Sequence, residues 1–486
     1  MTSQSNAPVI IGAGVSQQRF DDPTQSVEAG ALMRQALENA ADDADSRRAL
    51  EIADALLLPR GTWPYANPVS VVAPWNPAIR SIVADIGVLQ QTLLSKACAM
   101  VADGSSRVAL VAGGEAKHRA LRSQITGITA LDTPTSGEPD QRLVPSNEIL
   151  TQEEISRGLP VPARQYAMID TALRSAQGLS AAEHINLLAH LWSDFSAVAA
   201  DNTDAWTRAQ IDRATLVNPT AANPMLAWPY TKLHCSQWNV DQAAGLIICS
   251  AATADELGIA RDRWVFAHAG IESNLMVPLT RRAQMHRSPA VGVVGQAIQE
   301  HCGVTPADIE HLDIYSCFPA AVRVQQHELG IDNSRQLTVT GGMTFAGGPL
   351  NNYTLQATAK MVQVLRTHPS TRGLVTNVSG MLTKYGAAVW SCSPPEQPFA
   401  ALDVTAAATA ATPTVEVDSD YAGQANVITY TVVFDKSQPA QGIVVAETAD
   451  GRRVIASSSD AAIAADMATN DWIDRSVRID GAELLS

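Results

Sequence analysis

Residues 238–259 read WNVDQAAGLIICSAATADELGI and place a strand directly before a helix. The run from Gln242 to Ser250 is apolar almost throughout, which is typical of a strand buried on both faces of a sheet. The segment ATADELGI that follows it has the pattern of a short helix. A buried strand followed by a helix predicts an α/β fold built on a mostly parallel sheet with both faces covered.

The same alternation extends in both directions from this segment. Pro8–Gly14 (PVIIGAG) predicts a buried strand running into a tight turn, and residues 26–43 have helical spacing. Apolar strands are also predicted at Ala55–Pro59 and Val108–Ala112, with a helix over 89–103 between them. A second α/β pattern begins near Trp264 and runs to the strand AAVWSC. Two halves of similar layout indicate an internal duplication.

Two segments depart from this pattern. Residues 116–239 are polar, punctuated by proline and mainly helical, which predicts a helical excursion that covers a site. Ser393–Pro398 has the composition of a linker, and residues 401–413 continue it. Period-2 patterning over residues 427–459 then predicts a small antiparallel β-barrel. The predicted units are an N-terminal half (1–115 and 240–262), a helical loop domain (116–239), a C-terminal half (263–395) and an OB-like β domain (399–486).

Charge and composition exclude several classes of protein. The net charge is −15, and residues 399–486 carry 13 acidic and 5 basic residues, which disfavours a nucleic-acid binder. No apolar run approaches the length of a membrane span. The N-terminus has no basic stretch before its apolar run, so a secretory signal is not expected. The six cysteines are scattered without a CxxC pair, and the ten histidines do not cluster. We therefore expect a cytoplasmic protein with reduced thiols and no metal.

Several motifs together resemble the thiolase superfamily, and in particular the sterol-carrier-protein-type thiolases and thiolase-like proteins of type 1. They are VIIGAG, LVAGGEA (110–116), residues 238–259, HLDIYSCFPAAV (311–322), GGMTFAGGPLNN (341–352) and SGMLTKYG (379–386). The resemblance implies a duplicated α/β body stacked in five layers, with a loop domain that binds coenzyme A. The tail resembles the additional domain of the type 1 proteins and the OB-fold partners of acyl-CoA aldolases in the superfamily.

The catalytic residues that the resemblance implies are missing. The nucleophilic cysteine would stand at the elbow before the helix over 89–103, where Gly87 and Val88 lie. The histidine of the GHP motif aligns with Gly348, and the second cysteine aligns with Val378. Cys98 lies about three turns into the helix and is interpreted as a buried thiol. Thiolase chemistry is therefore not expected.

A different set of reactive side chains remains at the corresponding positions. Tyr315 replaces the residue that orients an oxyanion-hole water, Cys317 follows it, and Tyr385 lies after the SGM turn. A tyrosine near a thioester or a β-hydroxyl can donate or accept a proton, as retro-aldol cleavage of a β-hydroxyacyl-CoA requires. The alternative interpretation is that the two tyrosines are packed inside the fold and that Cys317 is a small buried thiol.

Candidates for substrate binding are less specific. Ser236 and Gln237 lie where the resemblance implies contact with the pantetheine arm. Trp238 is expected to fill the core rather than to stack on adenine. Other polar or glycine positions near the turns are Gly348, where backbone can approach a ligand closely, Asn351 and Asn377. The asparagines could equally satisfy backbone groups locally.

Three functions stay open at this point. The first is a coenzyme A thioester enzyme, with an aldolase-type lyase as its most concrete form and no further cofactor. The second is a non-catalytic acyl-CoA or lipid-binding protein. The third is a subunit that acts only with an OB-fold or other protein partner. Thiolases usually dimerise through the sheet edge of the N-terminal half, and the chain is expected to be a monomer or a homodimer.

Overall fold

The computed structural model describes residues 5–485 and consists of two sheets with helices packed around them. The strands, in chain order, are β1 Pro8–Gln18, β2 Ala55–Pro59, β3 Arg80–Ala84, β4 Val108–Ala116, β5 Gln141–Leu143, β6 Met225–Ala227, β7 Tyr230–Thr231, β8 Asp241–Ser250, β9 Val265–Ser273, β10 His311–Asp313, β11 Arg372–Ser379, β12 Lys384–Ser391, β13 Ala400–Asp403, β14 Ala422–Asp435, β15 Gln438–Glu447, β16 Arg453–Ser458, β17 Ser476–Asp480 and β18 Glu483–Leu484.

The helices connect and cover these strands. In chain order they are α1 Ala29–Asp43, α2 Arg48–Glu51, α3 Val69–Val72, α4 Gln90–Ala102, α5 Lys117–Thr126, α6 Gln152–Ser156, α7 Pro162–Ala176, α8 Ala181–Asp201, α9 Arg213–Val217, α10 Ala251–Glu256, α11 Pro289–Cys302, α12 Pro319–Glu328, α13 Gly342–Phe345, α14 Tyr353–Thr367, α15 Thr405–Ala411 and α16 Ala461–Thr469. Within residues 5–485, none of them combines the length and apolarity that a membrane-spanning helix needs.

The large sheet contains both halves of the predicted duplication. Its order is β3-β2-β4-β8-β1 in the first half and β9-β12-β11-β10 in the second, and the halves meet where β1 pairs with β9. The prediction of a mostly parallel sheet was wrong. β8 pairs antiparallel with β1 and β4, and β12 pairs antiparallel with β9 and β11. These strands are apolar because helices cover both faces, which does not depend on strand direction.

Five layers result from the packing of four helices on this sheet. α1 packs on β1, β4 and β8 of the first half, and α11 packs on β9 and β12 of the second. Between the halves, α4 contacts β4, β8, β9 and β12, while α14 contacts β1, β8 and β11. The order is therefore helix, sheet, helices, sheet, helix, which confirms the layered α/β body.

Glycines in β1 and β8 allow α1 to approach the sheet closely. A β-carbon on Gly12 would lie 2.0 Å from the Ala40 carbonyl oxygen, and one on Gly14 would lie 2.3 Å from the Ala36 carbonyl oxygen. On β8, a β-carbon on Gly245 would lie 2.8 Å from the amide nitrogen of Leu37 in α1. The predicted tight turn at Gly12–Gly14 was therefore wrong, since β1 continues to Gln18 and its glycines make room for a helix backbone.

Short strands and a helix appear where the sequence predicted none. β5 pairs in parallel with β3 and forms the edge of the large sheet, and β6 and β7 join the second sheet, although residues 116–239 were expected to lack strands. The expected linker over 401–413 contains most of β13, which pairs with β9, and α15. These strands have only two to four residues, so they carry no periodicity of their own.

Residues 422–484 form the predicted small β domain. β14 pairs with β15, β15 with β16, β16 with β18, β18 with β17, and β17 with β14, which closes a ring of five strands. β14 also pairs with β6, so the ring is joined to the helical segment. The Arg174 guanidinium adds two hydrogen bonds of 2.7 and 2.8 Å to Asp471, and Trp228 stacks on Tyr430 with ring centroids 5.3 Å apart. An OB-type topology stays a prediction.

A buried ionic cluster joins the helical segment to the C-terminal half. Asp170 on α7 accepts hydrogen bonds from Arg323 on α12 and, at 2.7 Å, from the Tyr230 hydroxyl, while His184 on α8 contacts both charged groups. Burial raises the pKa of Asp170, but Arg323 and His184 lower it by more, and the net pKa is about 2. The Tyr230 hydroxyl also accepts a hydrogen bond from the Ala320 amide, so the cluster fixes the start of α12.

We expect Asp170→Ala to lower the free energy of unfolding by about 3–5 kcal/mol, because it leaves the buried Arg323 charge without its carboxylate. Equilibrium urea unfolding measures this change. The control Asp255→Ala breaks an exposed pair with Arg261 and should cost less than about 1 kcal/mol. An equal effect of the two substitutions would contradict the role of the cluster.

The same cluster predicts a pH dependence. Since the pKa of Asp170 is lowered on folding from 3.8 to about 2, its stabilisation is fully present above pH 4 and is lost as the pH falls towards 2. Asp170→Asn should remove this part of the acid sensitivity, which a comparison of unfolding curves between pH 5 and pH 2 would show. Parallel pH profiles for the two proteins would be evidence against it.

Candidate functional site

The elbow before α4 has the predicted position but no nucleophile. Gly87 has a φ of +101°, and α4 begins three residues later without a side-chain cap at Leu89. Val88, the other residue at the elbow, is 9% exposed. Cys98 is buried in the core, and burial raises the pKa of its thiol. The elbow therefore offers backbone groups and a helix N-terminus rather than a thiolate.

Two hydrogen bonds join the first turn of α4 to the C-terminal half. The Gln91 amide donates a 3.2 Å hydrogen bond to Asn377 Oδ1, and the Thr354 amide donates to Gln90 Oε1 at 2.8 Å. Asn377, predicted to bind substrate, is 1% exposed and serves as the cap that the sequence around Leu89 lacks. This interaction ties the start of α4 to β11.

Tyr315 follows β10 and lies against this end of α4. Its amide donates to Thr376 Oγ1 at 2.8 Å, and its ring meets Tyr353 edge-on with centroids 5.7 Å apart. Burial, and then the neighbouring Cys317, raise the pKa of its phenol well above the usual value, while the Gln90 side chain beside it lowers it. The phenol is therefore neutral and can donate a proton.

Cys317 lies two residues further along the chain and is 8% exposed. Burial raises the pKa of its thiol to about 12, although the neighbouring Tyr166 hydroxyl lowers it. At neutral pH it is therefore a thiol, and it is a poor nucleophile. Its carbonyl accepts a 2.9 Å hydrogen bond from Ser236 Oγ, so the structure brings the predicted Ser236 and Cys317 together.

The glycine-rich loop over 341–349 lies beside this pair. The Gln237 amide donates to the Met343 carbonyl at 3.0 Å, and the Gly348 amide donates to the Gln237 carbonyl at 2.9 Å. Hydrogen bonds to backbone carbonyls thus join four residues into one group, namely Ser236, Gln237, Cys317 and Gly348. The adjacent Trp238 is half exposed under Lys117 Nζ, so the prediction that it fills the core was wrong.

Two other predicted residues lie at the margin of this group. Asn351 adopts a φ of +58° and donates from Nδ2 to the Arg60 carbonyl at 2.9 Å, which supports the local role considered for it. Tyr385 is fully buried, and burial raises the pKa of its phenol while the nearby Thr376 lowers it. Within residues 5–485 its hydroxyl has no hydrogen-bond partner. Tyr385 therefore lies near Thr376, which accepts a hydrogen bond from the Tyr315 amide, and no described hydrogen bond joins it to Ser236, Gln237, Gly348 or Cys317.

Asp313 is a site-organising residue that the sequence analysis missed. Its carboxylate accepts hydrogen bonds from the Thr338 and Thr340 hydroxyls, the Val339 and Thr340 amides and the Tyr353 hydroxyl, at 2.9 to 3.1 Å. Burial raises the pKa of Asp313 by more than these hydrogen bonds lower it, so the pKa lies above its usual value. The carboxylate fixes the turn before the glycine-rich loop. The signal in the sequence was an aspartate inside the apolar run before Tyr315.

Lys384 is the second functional candidate that the sequence analysis missed. It is 1% exposed, and its Nζ donates a 3.1 Å hydrogen bond to the Gly87 carbonyl at the elbow. Burial lowers the pKa of the ammonium group, and Glu272 raises it. Glu272 accepts hydrogen bonds from Thr92 and Asn274, and burial raises the pKa of its carboxyl group. A charged residue within SGMLTKYG was the available signal.

The arrangement supplies proton donors rather than nucleophiles. A neutral phenol and an ammonium group lie at the elbow and first turn of α4, and a neutral thiol lies two residues along the chain from the phenol. Among residues 5–485, no group of three or more histidine, cysteine, aspartate or glutamate side chains is placed to hold a metal ion. These groups can bind and polarise a carbonyl oxygen, and they can protonate an enolate.

Comparisons with known proteins agree with this description. Residues 404–483 match the thiolase-like protein type 1 additional C-terminal domain. Over 211 residues the chain is 26% identical to a 17-hydroxy-3-oxo-4-pregnene-20-carboxyl-CoA lyase from Mycobacterium tuberculosis. That alignment covers 40% of this chain, which spans half the length of the lyase. The resemblance to the thiolase superfamily and to its type 1 thiolase-like proteins is confirmed.

Solved structures extend the similarity to the whole chain. A monomeric SCP2-thiolase like protein type 1 from Mycobacterium smegmatis superposes with a TM-score of 0.82 at 25% identity. The match covers 99% of this chain and 98% of that protein. An Ltp2-ChsH2(DUF35) aldolase shares the fold with a TM-score of 0.60 at 17% identity, over 80% of this chain and 99% of the other.

We expect Cys317 to react about 1000-fold more slowly than a free thiol at pH 8, because a pKa near 12 leaves very little thiolate. Peptide mapping after timed iodoacetamide labelling measures this rate for the folded protein. Labelling in 6 M urea is the control, and it should restore the rate of an ordinary cysteine. Rapid labelling of native Cys317 would show that the thiol is activated.

Proposed function

We propose that this protein binds acyl-CoA thioesters and cleaves a carbon–carbon bond of a β-hydroxyacyl-CoA by a retro-aldol reaction. The substrate would enter between the glycine-rich loop and the first turn of α4. Ser236 and Gln237 are the proposed contacts to the pantetheine arm, with Gly348, Asn351 and Asn377 around it. The reaction needs no further cofactor.

One observation carries this proposal. The three thiolase positions hold Gly87 or Val88, Gly348 and Val378, while Tyr315 lies at the same end of α4 with its phenol beside Gln90. Acyl transfer needs a nucleophile, and none of these three positions supplies one. Carbon–carbon cleavage instead needs a donor at the enolate, which a neutral phenol can provide.

The proposed reaction assigns proton donation to Tyr315. The β-hydroxyl gives its proton to water, the Cα–Cβ bond breaks to release a ketone or aldehyde, and the electron pair of that bond forms the thioester enolate. Protonation at Cα then yields the shortened acyl-CoA. Because the pKa of Tyr315 is raised, its phenol suits the protonation step better than the removal of the hydroxyl proton. Cys317 and Tyr385 are proposed to shape the surroundings of this phenol.

The names of similar proteins support this class of reaction. The curated relative is a carboxyl-CoA lyase, and one protein of the same fold is an aldolase. The first name denotes non-hydrolytic cleavage of a coenzyme A thioester compound, and the second denotes making or breaking a carbon–carbon bond. The acyl group that this chain accepts is not specified by that similarity.

A specific observation favours a second candidate function, non-catalytic binding of acyl-CoA or another lipid. Tyr315 and Cys317 are only 9% and 8% exposed, and the Cys317 thiol is engaged by Tyr166. A binding protein that retained the fold would show the same closed packing. Turnover distinguishes the two candidates.

A partner-dependent function is the third candidate. The aldolase with the same fold is a complex with a DUF35 protein. In this chain the five-stranded ring is attached to the helical segment through β6, and we propose that it replaces such a partner. In this third candidate, the protein would act only after it binds a further protein partner.

Two further features complete the proposal. β5 of the same chain pairs with β3 at the sheet edge where thiolases usually dimerise, which supports a monomer over a homodimer. The six cysteines are all free thiols, which supports a cytoplasmic location.

Tyr315→Phe should reduce turnover by about 100-fold or more, because it removes the proton donor, with little change in affinity. Calorimetric titration with coenzyme A, acetyl-CoA and a β-hydroxyacyl-CoA, followed by mass spectrometry of the products, tests this. Tyr421→Phe, in the β domain, is the matched control. Binding without a shortened acyl-CoA would favour the second or third candidate, and no binding of any thioester would contradict all three acyl-CoA functions.

A further inference from the structure

The ammonium group of Lys384 is buried with fewer acceptors than it needs. It can donate three hydrogen bonds, and among residues 5–485 it has one acceptor, the Gly87 carbonyl oxygen at 3.1 Å. Glu272 influences it electrostatically, but no described carboxylate lies within the 4.0 Å that defines an ion pair. Two of its donor positions are therefore without an acceptor in the described part of the chain.

Such a group is costly for the folded state. Removing a charge from water is unfavourable unless hydrogen bonds and an opposite charge replace the solvent. A methionine of similar length would fill the same volume without this penalty. The cost is understandable if the missing acceptors belong to a ligand.

The position of Lys384 indicates which ligand atom it would meet. Its contact residue, Gly87, lies three residues before α4, and the phenol of Tyr315 lies beside Gln90 in the first turn of the same helix. The lysine, on β12, and the tyrosine, in the loop after β10, thus reach one end of α4 from different parts of the C-terminal half. Lys384 and Gly386 are two residues apart on β12, so they share one face of the strand. A β-carbon on Gly386 would lie 3.0 Å from the Gln91 side chain, which places this face against the first turn of α4.

We infer that Lys384 is the charged hydrogen-bond donor for the thioester carbonyl oxygen, and that it binds this oxygen more strongly when an enolate forms. The inference rests on the acyl-CoA function proposed above. Tyr315 and Lys384 then have separate tasks, because the tyrosine protonates carbon and the lysine holds the oxygen. A cation near the oxygen stabilises the developing negative charge more than a neutral donor does.

Acetoacetyl-CoA provides a spectroscopic test, because its enolate has its own ultraviolet absorption band. On binding, its C2 proton is lost to solvent and the negative charge resides on the oxygen atoms. We expect the wild-type protein to generate this band at neutral pH. Lys384→Met should reduce the enolate fraction by roughly 10- to 100-fold, as expected for the loss of one charged hydrogen bond, while the ligand still binds.

Two variants serve as controls. Lys384→Arg keeps a charged donor and should retain part of the band. Lys360→Met removes a half-buried lysine of α14 that donates to Gln363, and it should leave the band unchanged. Thermal unfolding separates ligand binding from a structural role, since Lys384→Met should leave the melting temperature unchanged or raise it.

The outcomes are distinguishable. A bound ligand without an enolate band in the wild type, or a band that survives Lys384→Met, would overturn the role of Lys384 and leave the proposed function intact. A marked fall in the melting temperature of Lys384→Met would also overturn it, because the lysine would then support the fold. Failure of the wild type to bind acetyl-CoA or acetoacetyl-CoA would overturn both the inference and the proposed function.

Discussion

The site depends on how the two halves of the protein share the first turn of α4. This helix has no side-chain cap of its own, and Asn377 from the C-terminal half accepts the hydrogen bond of the Gln91 amide. Gln90 in turn accepts from Thr354 and contacts the Tyr315 phenol, while Lys384 binds the elbow at Gly87. The two halves cannot move apart at this point without leaving buried donors unsatisfied.

Much of the fold was predictable because its strands and central helices are long and strongly patterned. β2 was predicted with its observed bounds, and α1 and α4 were predicted within a few residues. Strand direction was not predictable, because burial on both faces gives an apolar run in either orientation. Short edge strands such as Gln141–Leu143 were also missed, since three residues carry no period. The glycines of VIIGAG were misread as a turn because helix packing and turns both favour glycine.

The candidate site was only partly visible in the sequence. The loss of the thiolase set at Gly348 and Val378 could be read from the motifs, and so could Tyr315. The contribution of Asp313 could not, because its acceptor role depends on a turn 25 residues away. Lys384 was missed for a similar reason, since its contact with Gly87 spans nearly 300 residues. Contacts between residues that are far apart in the sequence leave no motif or periodicity from which they could be predicted.

A crystal structure with a bound, slowly reacting acyl-CoA thioester would show where the reacting carbonyl lies. We predict the thioester carbonyl oxygen at the first turn of α4, within hydrogen-bond distance of Lys384 Nζ or the Tyr315 hydroxyl. We also predict the pantetheine arm beside Ser236 and Gln237. A thioester bound elsewhere on the protein, with this end of α4 still closed, would rule out this site.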